Sequence, residues 1–276
     1  MKRVTLLLLV TILLVTGTVG CTPSANTPGS NPATPTPTEK VSPTEKFIVG
    51  LDDTFAPMGF RDDAGTLVGF DIDLARAVGE EMGVEVVFQP IDWDAKEMEL
   101  TAKKIDCIWN GMSKTPEREE AMTLSQPYLN NKIVILANEG VTIHTKEDLL
   151  NYKWGTQAKS AALEVVQADP ICGQLTNGQL SEYPNYDVCI LDMEAGRIDL
   201  MIVDEVLGAY KNSKRDKPFL QAPVDFGEDL YVIGFRKEDA ELCGRVEAAL
   251  KKVQASGKAA DISNTWFGQD IVLPLQ

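Results

Sequence analysis

The 276-residue chain contains a single histidine, His144, and fewer basic than acidic side chains. One histidine leaves little room for a histidine-rich metal site, or for a histidine base that activates a nucleophile. The 26 Lys and Arg residues stand against 41 Asp and Glu residues, which gives a formal net charge of −15. This balance argues against a nucleic-acid partner, because a phosphate backbone is bound by clustered basic residues. We therefore expect no nucleic-acid partner, no metal site and no cofactor.

The apolar run over residues 4–15 is too short to cross a bilayer. It has twelve residues, whereas a membrane-spanning helix needs about 20. Lys2 and Arg3 precede it, and a short apolar run behind a positive N-terminus is typical of a secretory signal peptide. We expect such a peptide over residues 1–20.

Cys21 follows small residues and resembles the cysteine of a bacterial lipobox, although Thr18 stands where Leu is usual. We expect Cys21 to be diacylated and to hold the protein at the outer face of the membrane; the alternative is an ordinary signal peptide beside an incidental Cys21. Residues 22–46 contain six Pro, six Thr and three Ser. Such a segment cannot bury a core, so residues 21–46 are predicted to form an extended tether.

Residues 47–276 alternate between strand and helix patterns, which indicates an α/β fold with a largely parallel sheet. Asp71 is predicted to cap a helix that ends at Gly83, and Thr115 with Pro116 predicts another helix start. Trp109 is predicted to lie in the core. The predicted strands cover 47–50, 84–88, 105–109, 132–137, 198–203 and 230–235, and the predicted helices cover 72–82, 96–104, 187–195, 239–255 and 258–266.

A short internal similarity suggests two related units. Residues 102–106 (AKKID) and 195–199 (AGRID) each join a helix pattern to a buried strand through a basic turn. Polar residues follow both strands at their carboxyl ends, where open α/β sheets bind ligands. Two lobes that face a shared cleft are therefore expected, and chance similarity of the two segments is the alternative.

Arg118 and Asp204 are suited to an amino-acid zwitterion, whose carboxylate needs a fork of donors and whose ammonium needs a carboxylate. Arg118 falls in the first turn of a predicted helix, where a basic residue opposes the helix dipole, so a task beyond helix stability is indicated. The alternative is a surface arginine paired with an acid such as Glu119. Asp204 ends an apolar strand, where it either caps the next helix or meets a ligand.

Other candidates stand in loops after strands. Gly111 and Ser113 lead into the helix that carries Arg118, and N–H groups at such a helix start favour anions. Asp52 follows the first strand and has the same two interpretations as Asp204. Phe55 and Trp93 lie in acidic loops, where aromatic rings either line a binding cleft or fill the core.

An ordered set of motifs resembles the polar amino-acid solute-binding proteins of ABC importers. The set covers nearly the whole folded body and is specific as a set, although each motif alone is weak. The motifs are residues 50–57 (GLDDTFAP), 68–75 (VGFDIDLA), 104–106 (KID), 111–118 (GMSKTPER), 125–128 (SQPY), 195–199 (AGRID), 203–205 (VDE) and 266–268 (WFG).

The resemblance implies a type II periplasmic-binding-protein fold, in which two α/β lobes are joined by two hinge strands. On this basis residues 47–133 plus 232–276 are expected to form lobe 1, and residues 134–231 to form lobe 2. The implied partners are a small amino acid and the permease subunits of an ABC transporter. The implied form is a monomer on the extracytoplasmic side, anchored to the membrane through its lipid.

The resemblance also implies roles for individual residues. Arg118 resembles the arginine that holds the ligand carboxylate, and Asp204 the acid that receives the ammonium. Asp52 resembles an acid of the first lobe near the ligand, and Phe55 and Trp93 resemble rings that enclose its side chain. The remaining implied ligand-binding residues are Asn110, Gly111, Ser113, Gln157, Ser160 and Ala161.

The second-lobe loop departs from the family pattern. Lys159 replaces the usual Gly, Ala161 lacks a hydroxyl that often contacts the carboxylate, and Ser160 is a candidate to compensate. The amide of Asn110 is a candidate to reach the ligand side chain. The many acids near the expected cleft favour a neutral polar or basic ligand over an acidic one.

The cysteines beyond Cys21 are Cys107, Cys172, Cys189 and Cys243. An exported chain permits disulfides, and four cysteines allow three fully paired connectivities. Cys172 and Cys189 fall in the same expected lobe and are the candidate pair. The other two lie in predicted core elements and are expected to be buried thiols.

We expect binding without catalysis, and hence no catalytic residue. One alternative is an enzyme on the same scaffold, since some relatives of the family are dehydratases of cyclic acids. The other is a ligand sensor that signals to a kinase.

Overall fold

A computed structural model describes residues 45–276. The predicted signal peptide, Cys21 and nearly all of the predicted tether lie outside the described residues. The tether prediction extends one residue too far, because the first strand already begins at Lys46. Within the described part of the chain, no helix combines the length and apolarity that a membrane crossing requires.

The elements alternate along the chain as the sequence predicts. The strands are β1 (Lys46–Leu51), β2 (Thr54–Phe55), β3 (Gly59–Arg61), β4 (Leu67–Val68), β5 (Glu85–Pro90), β6 (Cys107–Ser113), β7 (Thr123–Leu124), β8 (Leu129–Ala137), β9 (Trp154–Gln157), β10 (Leu180–Tyr183), β11 (Leu200–Asp204), β12 (Leu220–Gln221) and β13 (Gly227–Phe235). The α-helices are α1 (Phe70–Met82), α2 (Lys96–Thr101), α3 (Pro116–Ala121), α4 (Ala161–Ala168), α5 (Tyr186–Glu194), α6 (Glu205–Ser213), α7 (Ala240–Ala255) and α8 (Lys258–Phe267). Short 3₁₀ helices cover Trp93–Ala95, Lys146–Asn151 and Pro170–Gln174.

One sheet runs through the molecule in the order β10-β9-β11-β8-β13-β6-β1-β5. Strands β1, β5 and β6 are parallel and form the first lobe, and β9, β10 and β11 are parallel and form the second. Between them β8 and β13 pair with each other antiparallel. Two α/β lobes joined by two strands are therefore confirmed. The predicted boundaries after residues 133 and 231 fall inside β8 and β13, and remain a prediction.

The internal similarity corresponds to equivalent packing in the two lobes. Ile105 packs against Gly50 of β1, and Ile198 packs against Gly155 of β9, where a Cβ on either glycine would overlap the isoleucine side chain. The aspartates that follow act alike: Asp106 accepts a hydrogen bond from an N–H of β1 at 2.8 Å, and Asp199 accepts one from the N–H that precedes β9 at 2.7 Å. The two turns thus fix neighbouring strands in the same way.

Helix α1 begins two residues before the predicted start, and the predicted cap is wrong. Gly69 is the N-cap residue, with φ 145°, and no side chain caps the helix. Asp71 is buried and accepts hydrogen bonds from the Gly111 N–H at 2.7 Å and from the Tyr128 hydroxyl at 2.9 Å. Because the Asp71 carboxylate accepts these two distant hydrogen bonds, it does not cap α1. The predicted helix end at Gly83 is confirmed by its left-handed φ of 70°.

The cores of the lobes are apolar, and the predicted placement of Trp109 in the core is confirmed. The candidate Cys172–Cys189 disulfide is absent, and the four cysteines among the described residues are free thiols. Cys189 belongs to the apolar cluster on one side of the second lobe's sheet, and Cys172 packs against a different cluster. Sequence proximity within one lobe therefore did not imply pairing. Cys107 and Cys243 are buried, as expected.

Gly69→Ala is expected to lower the free energy of unfolding by about 2–4 kcal/mol, because the new Cβ would combine a disfavoured φ with a collision against the Met58 carbonyl group. Gly65→Ala is the matched control. Gly65 also has a positive φ, of 78°, but no atom lies within 4 Å of the Cβ position, so about 1 kcal/mol is expected. Urea unfolding measures both values, and equal losses would show that the collision is relieved at no cost.

Candidate functional site

The carboxyl ends of β1, β6, β9 and β11, with the loops that follow them, bring residues of both lobes into contact at one boundary. In parallel sheets these ends are where ligands bind. All predicted ligand-binding residues are buried there. The first lobe supplies Asp52, Phe55, Trp93, Asn110, Gly111, Ser113 and Arg118, and the second supplies Gln157, Ser160, Ala161 and Asp204.

Asp52 forms a direct polar contact between the lobes. Its Oδ2 accepts a hydrogen bond from Gln157 Nε2 at 2.9 Å, and its Oδ1 accepts from the Thr54 backbone and hydroxyl. Burial raises the pKa of Asp52 above its usual value, although these hydrogen bonds oppose the rise. The Phe55 ring lies 6.2 Å from the Tyr186 ring of the second lobe, so an aromatic contact also joins the two lobes.

Arg118 is buried, and its surface interpretation is wrong. Thr115 caps α3 by accepting from the Arg118 N–H, and Glu119 pairs with Lys114 instead. The guanidinium donates to the Ser113 carbonyl at 2.8 Å and to Glu164 of the second lobe at 3.3 Å. Its Nε has no hydrogen-bond partner among the described residues. A buried guanidinium with an unused donor is suited to an incoming anion.

Three first-lobe donors converge on one carbonyl oxygen of the second lobe, that of Lys159. They are Trp93 Nε1 at 3.2 Å, Lys96 Nζ at 3.2 Å and the second terminal nitrogen of Arg118 at 3.4 Å. Lys159 has a left-handed φ of 55°, which few non-glycine residues adopt. Lys159, which stands where the family usually has Gly, therefore adopts a backbone conformation that favours glycine.

Asp204 does not cap α6 with its side chain, so the capping interpretation is wrong. The carboxylate instead accepts hydrogen bonds from Asn131 at 2.8 Å and from Tyr231 at 2.9 Å, both on the hinge strands. Asn131 also donates to Asp229 at 2.8 Å. Burial and, to a smaller extent, repulsion from Asp229 raise the pKa of Asp204 to about 7. Attraction by Arg118 acts in the opposite direction. The second lobe thus presents an acid that is poised near neutrality.

Several predicted ligand donors already have partners within the protein. The Gly111 N–H donates to Asp71. The Asn110 side-chain oxygen accepts from the Asp52 N–H at 3.0 Å, and its Nδ2 faces Gly59 rather than a hydrogen-bond partner. Ser160 caps α4 and donates to the Gln157 carbonyl at 2.7 Å. These groups hold the loops at the boundary between the lobes.

Sequence reasoning missed residues that touch the predicted ones. Lys96 lies three positions after Trp93, a spacing that places two side chains on one face of a helical turn and could have signalled the contact. Asn131, Asp229 and Tyr231 belong to the hinge strands, where no local pattern marks them. Within residues 45–276, no three His, Cys, Asp or Glu side chains are grouped so as to hold a metal ion.

Residues 47–269 match the family described as bacterial extracellular solute-binding proteins, family 3. Among curated relatives, the L-cystine-binding protein TcyJ of Escherichia coli K12 is 28% identical over 235 residues, which cover 84% of this chain and 86% of that protein. The L-arginine-binding protein of Pseudomonas aeruginosa is 28% identical over 232 residues, which cover 81% of this chain and 88% of that protein.

Solved structures show the same fold. A substrate-binding protein of an ABC uptake transporter from Streptococcus pneumoniae with bound histidine is 35% identical, with a TM-score of 0.78, and the match covers 82% of this chain and 94% of that one. The ancestral amino acid-binding protein AncCDT-1, a precursor of cyclohexadienyl dehydratase, is 29% identical, with a TM-score of 0.73 and coverage of 80% and 95%.

These similarities confirm the predicted type II periplasmic-binding-protein fold. The two curated relatives named above are amino-acid-binding proteins, and the family is one of extracellular proteins. The match spans most of the chain and most of each relative, so the chain belongs to the bacterial extracellular solute-binding proteins, family 3.

Proposed function

We propose that the chain captures a free L-amino acid between its two lobes and delivers it to the permease of an ABC transporter. The observation that carries this proposal is a pair of buried, oppositely charged groups from different lobes. Arg118 of the first lobe has an unused donor, and Asp204 of the second lobe is an acid poised near neutrality. The amino acids bound by the named relatives support the same conclusion.

In this proposal the ligand carboxylate lies against Arg118 and the ligand ammonium against Asp204. A zwitterion then supplies a counter-charge to each lobe, and each charged group gains a partner that offsets its loss of hydration. We propose that the rings of Phe55, which contacts Tyr186, and of Trp93, which contacts Arg118, enclose the ligand side chain. Asp229 lies close enough to raise the pKa of Asp204, so the ammonium end would meet two acids.

Capture would follow closure of the lobes about β8 and β13. A ligand favours closure only by contacts that exist in the closed form and not in the open one. A solute that touches Arg118 and Asp204 together meets this requirement, since either lobe alone offers one half of the interaction. We propose 47–133 plus 232–276 and 134–231 as the moving bodies.

The charges around the gap favour a ligand with a neutral polar or basic side chain. Asp52, Asp204, Asp229 and Glu164 are acidic, whereas Arg118 and Lys96 are basic. An acidic side chain would add to this excess of negative charge. We also propose that diacylated Cys21 and the tether that ends before Lys46 hold a monomer outside the cytoplasmic membrane, close to its permease.

A thermal-shift screen over the twenty amino acids and L-cystine tests the proposed function first. We expect one or a few of them to raise the unfolding temperature, because a ligand that binds only the folded state stabilises it. Each stabilising amino acid is then incubated with the protein and the mixture is examined by mass spectrometry, with unchanged ligand as the expected result. No stabilisation would contradict the proposal, and a new product would indicate an enzyme.

Arg118→Ala and Asp204→Ala are each expected to lose at least about 100-fold in affinity, because each leaves one end of the zwitterion without its partner. Calorimetric titration with the amino acid that gives the largest thermal shift measures this. Arg245→Ala is the control, since Arg245 is an exposed arginine paired with Glu45. Near-normal binding by either variant would remove that residue from the site.

The affinity is expected to fall by up to about tenfold per pH unit below pH 7. The pKa of Asp204 in the free protein is about 7, and only the ionised carboxylate pairs with an ammonium, so binding competes with a proton at lower pH. Titrations at pH 8, 7, 6 and 5.5 measure the slope. Asp204→Asn is expected to bind weakly and to lose this slope; a slope that persists in this variant would assign it to another group.

A further inference from the structure

Lys96 is a buried cation that has no role in the proposed binding of the ligand by Arg118 and Asp204. Its side chain is 3% exposed. The ammonium donates to the backbone carbonyls of Trp93 at 3.4 Å and Lys159 at 3.2 Å, and it lies 4.8 Å from the Trp93 ring centroid. The acid that pairs with it, Glu97, is 3.8 Å away and largely exposed. Carbonyl groups and a ring compensate a buried positive charge only in part.

Lys96 and Arg118 form a cluster of two buried cations. Both donate to the Lys159 carbonyl oxygen, and both lie over the Trp93 ring, with the Arg118 Cζ at 5.9 Å from its centroid. Burial and, to a smaller extent, repulsion from Arg118 lower the pKa of Lys96 to about 8. Glu164 is nearest to Arg118, at 3.3 Å, and is partly exposed. Two positive charges that lie close together in a buried site favour the binding of an anion, because an anion offsets their mutual repulsion.

The shared acceptor indicates what kind of anion fits. Lys96, Arg118 and Trp93 direct their donors to one oxygen, and in this structure the backbone of Lys159 supplies that oxygen. A carboxylate has two such oxygens and carries the charge that a carbonyl lacks. It can therefore accept from an ammonium and a guanidinium together, with shorter and stronger hydrogen bonds than a neutral acceptor makes.

We propose that Lys96 is a second cationic residue of the carboxylate subsite, where it binds the α-carboxylate of the ligand together with Arg118. This inference rests on the proposed function, since it assumes that the ligand is an amino acid. It assigns Lys96 to the constant end of the ligand rather than to the side chain. Lys96 then adds affinity for every amino acid that the protein accepts, without selecting among them.

Replacement of Lys96 by an uncharged residue tests the inference when two probes are compared. Lys96→Met keeps the length and apolar stem of the side chain, and Lys96→Gln is a second variant in case the first does not fold. The probes are L-histidine and L-arginine, each beside its carboxamide, in which a neutral amide replaces the carboxylate and the ammonium is kept. Lys251→Met, at an exposed position of α7, is the control.

The affinity of the Lys96 variants for the free amino acid is expected to fall about 10- to 100-fold, the range for a hydrogen bond to a charged group. Their affinity for the carboxamide is expected to change less than threefold, because no carboxylate is present to lose. Equal losses for both probes would overturn the inference, since they would mean that Lys96 only supports the closed form. Unchanged affinity for both would overturn it as well.

The same titrations separate this inference from the proposed function. If the wild-type protein binds an amino acid and Arg118→Ala does not, the proposed function stands whatever Lys96 does. If the wild type binds neither L-histidine nor L-arginine, the amino acid from the thermal-shift screen and its carboxamide replace them. If the screen itself finds no amino acid, the proposed function and the role of Lys96 fall together.

Discussion

The structure depends on burying a guanidinium and a carboxylate that belong to different lobes. Arg118 belongs to the first lobe and Asp204 to the second, and both are almost fully buried. Removing a charge from water is costly unless a partner and hydrogen bonds replace the lost hydration. The protein supplies part of that replacement, through Ser113 and Glu164 for the guanidinium and through Asn131 and Tyr231 for the carboxylate. A dipolar solute between the two would supply the rest.

The surrounding elements hold these charged groups at fixed positions. Asp71 connects α1 to the end of β6 through the Gly111 N–H, and to the segment before β8 through Tyr128. Asn110 holds the backbone of Asp52 in a similar way. The side chains that hold Asp204 come from the hinge strands themselves. Asp204 is therefore hydrogen-bonded to β8 and β13, the strands about which the lobes would move. A change in the geometry of these strands would alter the position of the Asp204 carboxylate.

Local sequence signals predicted the elements well and the buried polar contacts poorly. Thr115 and Gly83 determine helix ends through bonds to near neighbours, so their roles can be read from a few residues. The repeated Ile-Asp turns also predicted two related lobes. The role of Asp71, in contrast, cannot be predicted from its neighbours in sequence, because its hydrogen-bond partners lie 40 and 57 positions away. Lys96 likewise meets Lys159 across 63 positions. Such contacts are determined by the fold and leave no periodic pattern in the chain.

The central claim is that one solute bridges Arg118 and Asp204. A crystal structure grown with the amino acid that stabilises the protein most would test it directly. The account predicts the ligand carboxylate within hydrogen-bond distance of the Arg118 guanidinium and the ligand ammonium within hydrogen-bond distance of an Asp204 carboxylate oxygen. A ligand that contacts only one of the two residues, or that lies outside the gap between the lobes, would contradict it.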